Sequence, residues 1–382
     1  MLFSKIKSLL KAILVSLIWG CNDSRKFIII QYICKKLHKN VENEINYGMS
    51  KKYNVYGIGN ALVDIVTEVD DKFLQDNSIE KGLMTLVDEE NQTRISNAIN
   101  MNNSNMQCGG SAANSIIAVS QFGGSSYYSC KVANDELGEF YKKDLSSNGV
   151  DSNLQSEALE AGITGKCLVM TTEDASRTMN TFLGITESYS KSEIKEAALK
   201  DSEYLYIEGY LVTSGNGQDA MKHAKKLAED NGVKTALTFS DPAMVKYFKE
   251  PMVSVVGAGV DLLFCNEEEA MLYTGKGNLS EAQKALKSSA KKFVITLGEK
   301  GAIVFDGEAF IDIEPNKADA IDTNGAGDLF AGAFMYGITN GKSFADAGKL
   351  ASMASSKVVT QFGPRLESSQ AKEILNELFV EA

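Results

Sequence analysis

Asp322-Thr323-Asn324-Gly325-Ala326-Gly327-Asp328 runs directly into the apolar stretch Leu329-Phe330-Ala331-Gly332-Ala333-Phe334. Small residues crowd a turn where a helix begins. Glycines let successive backbone N–H groups converge on one point, and a helix N-terminus adds partial positive charge there. Gly325, Ala326 and Gly327 therefore have the makings of an anion hole. Asp328 falls in the first helical turn, where a carboxylate is electrostatically favoured. A carboxylate beside an anion hole suits phosphoryl transfer. The N–H groups stabilise charge on the moving phosphate, and the carboxylate takes the proton of an attacking hydroxyl. The same residues also fit a helix cap in a glycine-rich turn, and both readings stand at this point.

Composition narrows the alternatives. The net charge of −11 argues against a nucleic-acid surface, which is normally basic. Cysteines at 21, 34, 108, 130, 167 and 265 form no CxxC pair, and His38 and His223 are the two histidines. A zinc site and a Ser-His-Asp or Cys-His mechanism have little to work with. Free thiols fit a reducing compartment, so a cytoplasmic location is expected. Gly57-x-Gly59 could open a dinucleotide fingerprint, but Leu62 stands where the third glycine belongs. No GxxxxGK[ST] motif occurs, which excludes a P-loop kinase, and the His-Arg-Asp and Asp-Phe-Gly elements of protein kinases are missing.

Short apolar runs alternate with helical patterns from residue 53 onward. Strand character marks 53–58, 126–130, 204–207, 235–239, 262–265 and 293–296, and helical character marks 112–122, 137–146, 217–231 and 279–290. This alternation predicts an α/β fold with a mainly parallel sheet covered on both faces. Three helices are expected at 326–338, 344–360 and 369–379. Segments near 66–69, 84–87, 106–109 and 165–183 look like strands with no helix between consecutive pairs. They predict a small accessory sheet that could serve as a lid. Arg177 lies in it, and its planar fork could close over phosphate oxygens or simply face solvent.

DTNGAGDLFAGAF resembles the C-terminal signature of the ribokinase-like superfamily, the PfkB family of carbohydrate and nucleoside kinases. Further motifs agree in order and spacing over about 53–378. The resemblance implies a ribokinase-like three-layer sandwich with a small β-sheet lid, and ATP and Mg²⁺ as ligands. Asp328 would be the catalytic base, with Gly325, Ala326 and Gly327 as the anion hole and Asn324 near ATP. Asp64, after the first strand, would hold acceptor hydroxyls, joined by Gly109, Gly110 and Asn114 of the Gly-Gly motif. Asn266 and Glu269 match the family's Asn-x-x-Glu motif for Mg²⁺ and phosphate. Thr296, Gly298 and Gly301 would lie against ATP. Asp322 would stand beside a monovalent cation, K⁺ in some relatives.

Gly59-Asn60-x-Leu62-x-Asp64 and Asp322-Thr323-Asn324-Gly325 look most like the adenosine kinase branch. Ser111 stands where the ribokinase pattern has a lysine, which favours a nucleoside over free ribose. The expected reaction is phosphorylation of the 5′-hydroxyl of adenosine, as in purine salvage. The alternatives are a fructose- or ribose-type sugar kinase, or a non-catalytic nucleoside- or sugar-binding regulator. Phe182 and Tyr127 are candidates to contact a base. The partner is expected to be a small-molecule acceptor, with no nucleic acid and no membrane, and the chain a monomer or homodimer.

Residues 1–48 differ from the rest. Eight Lys/Arg against three Asp/Glu give them about +5, leaving about −16 for the remainder. Their two apolar runs are short for a bilayer, which needs roughly 20 residues. A signal peptide, a basic surface anchor and an upstream extension with the true start at Met49 all fit. The extension reading leads and predicts a poorly ordered segment, with the kinase-like domain over 49–382.

Overall fold

The structure, a computed structural model, describes residues 51–82, 84–99, 105–174 and 177–379. The expectations for residues 1–48 lie outside these. Among the described residues the strands are β1 (Tyr53–Ile58), β2 (Leu62–Glu68), β3 (Met84–Leu86), β4 (Asn105–Gly109), β5 (Ser126–Ser129), β6 (Val150–Ser152), β7 (Gly165–Thr171), β8 (Arg177–Phe182), β9 (Ser202–Ile207), β10 (Lys234–Thr238), β11 (Val260–Asn266), β12 (Ala290–Thr296), β13 (Ala302–Phe305) and β14 (Phe310–Ile313).

They form two sheets. The larger has the order β14-β13-β12-β11-β10-β9-β1-β5-β6 and the smaller β3-β8-β7-β2-β4. From β12 to β6 every pairing in the large sheet is parallel, whereas β13 and β14 run antiparallel at one edge. Its apolar strands serve two cores at once. Tyr204 and Tyr206 face one cluster, shared with the helices Ser111–Gln121, Ala326–Thr339 and Phe344–Val358. Leu205 and Ile207 face the other, shared with Gly215–Asp230 and Glu267–Thr274. Helix, sheet and helix make the three-layer sandwich that the alternating pattern implied.

Two helices sit between strands of the smaller sheet, contrary to expectation: Asp71–Asp76 follows β2 and Glu89–Ala98 follows β3. Both are capped by aspartates, Asp70 and Asp88, that accept the N–H three residues on. The helical pattern at 279–290 also ends earlier, at Leu286, because Ala290 begins β12. None of the helices among the described residues is long and apolar enough to cross a membrane.

Parallel strands put their C-terminal ends on one edge. Asn60 follows β1, Glu208 follows β9, Asn266 ends β11 and Thr296 ends β12. Strand order reverses at β1: the chain adds β5 and β6 on one side of it and then β9 to β14 on the other. A crevice at the carboxyl ends beside such a reversal is where α/β sheets take ligands.

Candidate active site

Asp328 is placed by the crossing of two helices. A Cβ added to Gly332 would lie 2.4 Å from the Ser115 carbonyl oxygen and 2.6 Å from Ala118 Cβ. Glycine thus lets Ala326–Thr339 approach Ser111–Gln121 backbone to backbone. At that distance Ser115 Oγ donates to the Asp328 carbonyl at 3.0 Å. Ser111 Oγ donates to Asp328 Oδ1 at 2.6 Å, and Asn114 Nδ2 donates to Oδ2 at 3.0 Å. The low-dielectric surroundings of the half-buried carboxyl push its pKa up to about 6, against the pull of Ser111, Asn114 and the Arg365 charge. Its carboxylate is more basic than that of an ordinary aspartate.

The turn before it is held from behind. Gly325 caps the helix at φ +74°, in the left-handed region. Its Cβ, if present, would meet Pro364 Cβ at 2.3 Å. Asp322 is buried, and its two carboxylate oxygens accept Asn324 N at 2.8 Å and Gly363 N at 2.9 Å. Ala326, Gly327 and Asp328 open the helix, where N–H groups have no intrahelical acceptor. A methyl group on Gly327 would meet nothing within 4 Å, so this side of the turn is open.

Asp64, after the first strand, lies in the middle of β2, in the smaller sheet. Its cross-strand neighbours are Gln107 on β4 and Cys167 on β7. A Cβ on Gly109 would come within 2.6 Å of the Asp64 carboxylate, so the aspartate lies over the Gly109-Gly110 turn. The helix bearing Ser111 and Asn114 starts there, with Gly110 as its cap. The structure therefore gathers Asp64, Gly109, Gly110, Asn114 and Asp328 around one helix start.

Asn266 and Glu269 close a capping box at the head of Glu267–Thr274. Asn266 Oδ1 accepts Glu269 N at 2.8 Å, and Glu269 accepts from Asn266 N at 2.9 Å. Burial pushes Glu269 up to about 7, against the Asn266 backbone donor, and nearby Asp241 and Glu268 add to the rise. Thr296 is the cross-strand partner of Asn266, and Gly298 and Gly301 shape the turn into β13. These residues share the sheet edge with the Asp328 group. Arg177 lies in β8, and its side chain falls outside the described residues. Tyr127 is a correction: it stacks on Tyr56 at 4.9 Å inside the core and cannot serve a base pocket.

Two residues escaped sequence reasoning. Glu208 is fully buried and accepts Asn60 N at 2.6 Å and Ala112 N at 2.9 Å, tying the turn after β1 to the start of the Asp328-binding helix. Burial pushes it up to about 7, against those two donors, with a contribution from the Asp328 charge. A polar residue directly after an apolar strand was the available signal. Arg365 follows Gly363-Pro364, and its guanidinium reaches Asn114, Asp144 and the Cys108 carbonyl. A lone arginine after a turn gives no such warning.

The family description "pfkB family carbohydrate kinase" matches residues 83–371. The chain belongs to this family. As a pfkB-family kinase it is a phosphotransferase with an alcohol group as acceptor. It is 26% identical to adenosine kinase 2 of Arabidopsis thaliana over 330 residues, 80% of this chain and 94% of that protein. Among solved structures, a probable sugar kinase from Rhizobium etli aligns with TM-score 0.78 and 31% identity, covering 85% of this chain and 98% of the other. The adenosine kinase of Sinorhizobium meliloti aligns with TM-score 0.77 and 32% identity, covering 84% and 99%. The chain has the ribokinase-like α/β fold, with a mostly parallel large sheet, a second small sheet and flanking helices.

Proposed function

We propose that this pfkB-family kinase transfers the γ-phosphoryl group of ATP to the 5′-hydroxyl of adenosine, with Asp328 as general base. The observation that carries the reading is the Asp328 carboxyl, held by Ser111 and Asn114 in the first turn of a helix that has open space beside Gly327. The acceptor oxygen attacks the γ-phosphorus while Asp328 takes its proton, and the bond to the bridging oxygen of ADP breaks. Ser111 and Asn114 leave each Asp328 oxygen a further lone pair for that proton. The backbone N–H groups of Gly325, Ala326 and Gly327 receive the charge that builds on the phosphoryl oxygens, with Asn324 beside them.

Asp64 would accept from the two ribose hydroxyls, above Gly109 and Gly110. Thr296, Gly298 and Gly301 would line the nucleotide side. Among the described residues no three or more His, Cys, Asp or Glu side chains group as a metal site, so Mg²⁺ would arrive on the phosphates with water in its shell. Glu269, kept basic by burial and Asp241, fits that shell as an oxygen acceptor, with Asn266 orienting it. Bound Mg²⁺ supplies neutralisation of phosphate charge. Asp322 already holds two turns with its oxygens, and any K⁺ beside it would be an addition to that role. Arg177 of β8 is the candidate to close over phosphate, and the smaller sheet the candidate lid.

Adenosine is favoured by the motifs around Asp64 and Asp322 and by the kinship with two adenosine kinases. A sugar acceptor is the second reading, favoured by the equal similarity to the Rhizobium etli protein. ADP release with adenosine, inosine, guanosine, ribose and fructose separates them. Turnover with adenosine alone is expected, and turnover confined to a sugar would overturn the substrate assignment.

A further inference from the structure

We propose that Arg365 is a positioning residue that fixes the Asn114 side-chain amide so that its NH₂ edge, not its oxygen, meets the Asp328 carboxylate. The proposal rests on the reading of Asp328 as the base.

A buried amide in such a slot has two orientations of nearly equal shape. In one, Asn114 Nδ2 donates to Asp328 Oδ2 at 3.0 Å and its Oδ1 accepts Arg365 Nε at 2.9 Å. A half-turn about the terminal bond would set an amide oxygen against the carboxylate and an NH₂ group against a guanidinium. Both contacts would then be repulsive. Arginine carries donors and no acceptor and does not lose its proton, so it excludes the flipped amide at every working pH. Asn114 is buried, with little water to compensate an inverted amide.

The guanidinium is itself held at three points. Besides Asn114, Nη1 donates to Asp144 at 2.6 Å and Nη2 to the Cys108 carbonyl at 2.5 Å. Asp144 lies on the helix Glu136–Ser147, and Cys108 just precedes the Gly109-Gly110 turn. A lysine could satisfy one of these partners but not the planar set. The loop that carries Arg365 is also tied to the phosphate turn, through Gly363 N on Asp322 and Pro364 against Gly325. One short loop thus sets the hole and the base together.

Loss of Arg365 removes two influences that keep Asp328 ionised: the fixed Asn114 donor and a nearby positive charge. Other groups facing the pair stay in place. Glu208, Tyr206 and Tyr210 surround Asp328, and Asp144, Cys108 and Tyr141 surround the arginine. They set a common offset and do not restore the amide.

The test is the pH dependence of kcat/KM for the full chain, with the acceptor that gives turnover, in wild type, Arg365→Met, Asn114→Ala, the double variant and Asp144→Asn. Arg365→Met should lower kcat at pH 7 by about ten- to a hundredfold, the range of one hydrogen bond to a charged group. Its acid limb should move up by about one pH unit. Asn114→Ala should move both in the same direction but by less, since the Arg365 charge remains, and the double variant should be little worse than Arg365→Met. Asp144→Asn should lower melting temperature without moving the limb. An unmoved limb in Arg365→Met, or single effects that multiply in the double variant, would overturn the proposal. Should Arg365→Met not fold, Arg365→Lys keeps the charge but not the lock, and a wild-type kcat there would equally overturn it. Asp328→Asn in the same series keeps the two readings apart. If it remains active, the base assignment itself fails. If it is inactive while the Arg365 limb stays put, only the positioning role fails.

Discussion

Gly325 and Gly327 stand two residues apart in one turn, yet a methyl group added at each meets opposite surroundings. At Gly325 it would lie 2.3, 2.6 and 2.7 Å from Cβ, Cα and O of Pro364, on a residue at φ +74°. Two of those atoms are backbone and cannot rotate away. The left-handed conformation costs alanine about 1–2 kcal/mol, and the overpacking about 1–3 kcal/mol more. Gly325→Ala should therefore lower Tm by roughly 3–7 °C, at about 1.5 °C per kcal/mol for a chain of this size. At Gly327 nothing lies within 4 Å, and the position is helical. Alanine there should stabilise by up to about 1 kcal/mol through helix propensity. Its methyl group would nevertheless stand where phosphate must approach the N–H groups, and losing one such donor costs on the order of 10²–10³ in rate. Gly327→Ala should thus melt at or above the wild-type temperature and turn over at least a hundredfold more slowly. Thermal melts without ligand and ADP release at saturating acceptor read the two effects separately. Wild-type turnover in Gly327→Ala would refute the anion hole, and an unchanged Tm in Gly325→Ala would refute the packing argument.

Asp328→Asn should abolish most turnover, by about 10²–10⁴-fold as for a lost general base. The same variant should melt higher at pH 7.5. The folded carboxyl has its pKa raised to about 6, so the native state binds a proton more readily than the unfolded chain, and stability falls as pH rises through about 4–6. An amide escapes that penalty, and a lower Tm would contradict it. In wild type, kcat/KM for the acceptor should be flat above pH 6 and fall about tenfold per unit below it, because the base must be ionised. A profile still flat at pH 5 would count against Asp328. Asp64→Asn should raise the KM for adenosine by about 10–100-fold, the range of a hydrogen bond to a charged group, with a smaller change in kcat. Equal loss with 2′-deoxyadenosine and adenosine would show that Asp64 does not read the diol.

The elements that hold the site were legible where local pattern decides. Residues 53–58 are β1 as expected, and the helix after Gly325 begins at Ala326. Apolar runs bounded by turns, and a glycine-rich turn before a helix, are signals contained within a dozen residues. What was missed depends on distance along the chain. Arg365 meets Asn114 from 251 residues away, and Glu208 meets Asn60 from 148 away. No periodicity encodes such contacts. The strand that carries Asp64 was read only from residue 66, because the turn after Ile58 is short and β2 already starts at Leu62. The edge pair β13 and β14, four residues each, was overlooked although strands as short as β5 were read.

β1 lies inside the large sheet, between β5 and β9. Val55 pairs with Ser126, 71 residues later, and with Tyr204, 149 residues later. At a synthesis rate of roughly 5–20 residues per second, its first neighbour emerges about 4–14 s after it and its second about 7–30 s after it. A strand with Val55, Tyr56 and Ile58 to bury has neither flank covered until β5 emerges, and one flank open until β9 does. The segment that later anchors the substrate edge is therefore, while the chain is being made, an exposed apolar strand suited to chaperone binding, and the arrival of β9 ends that exposure.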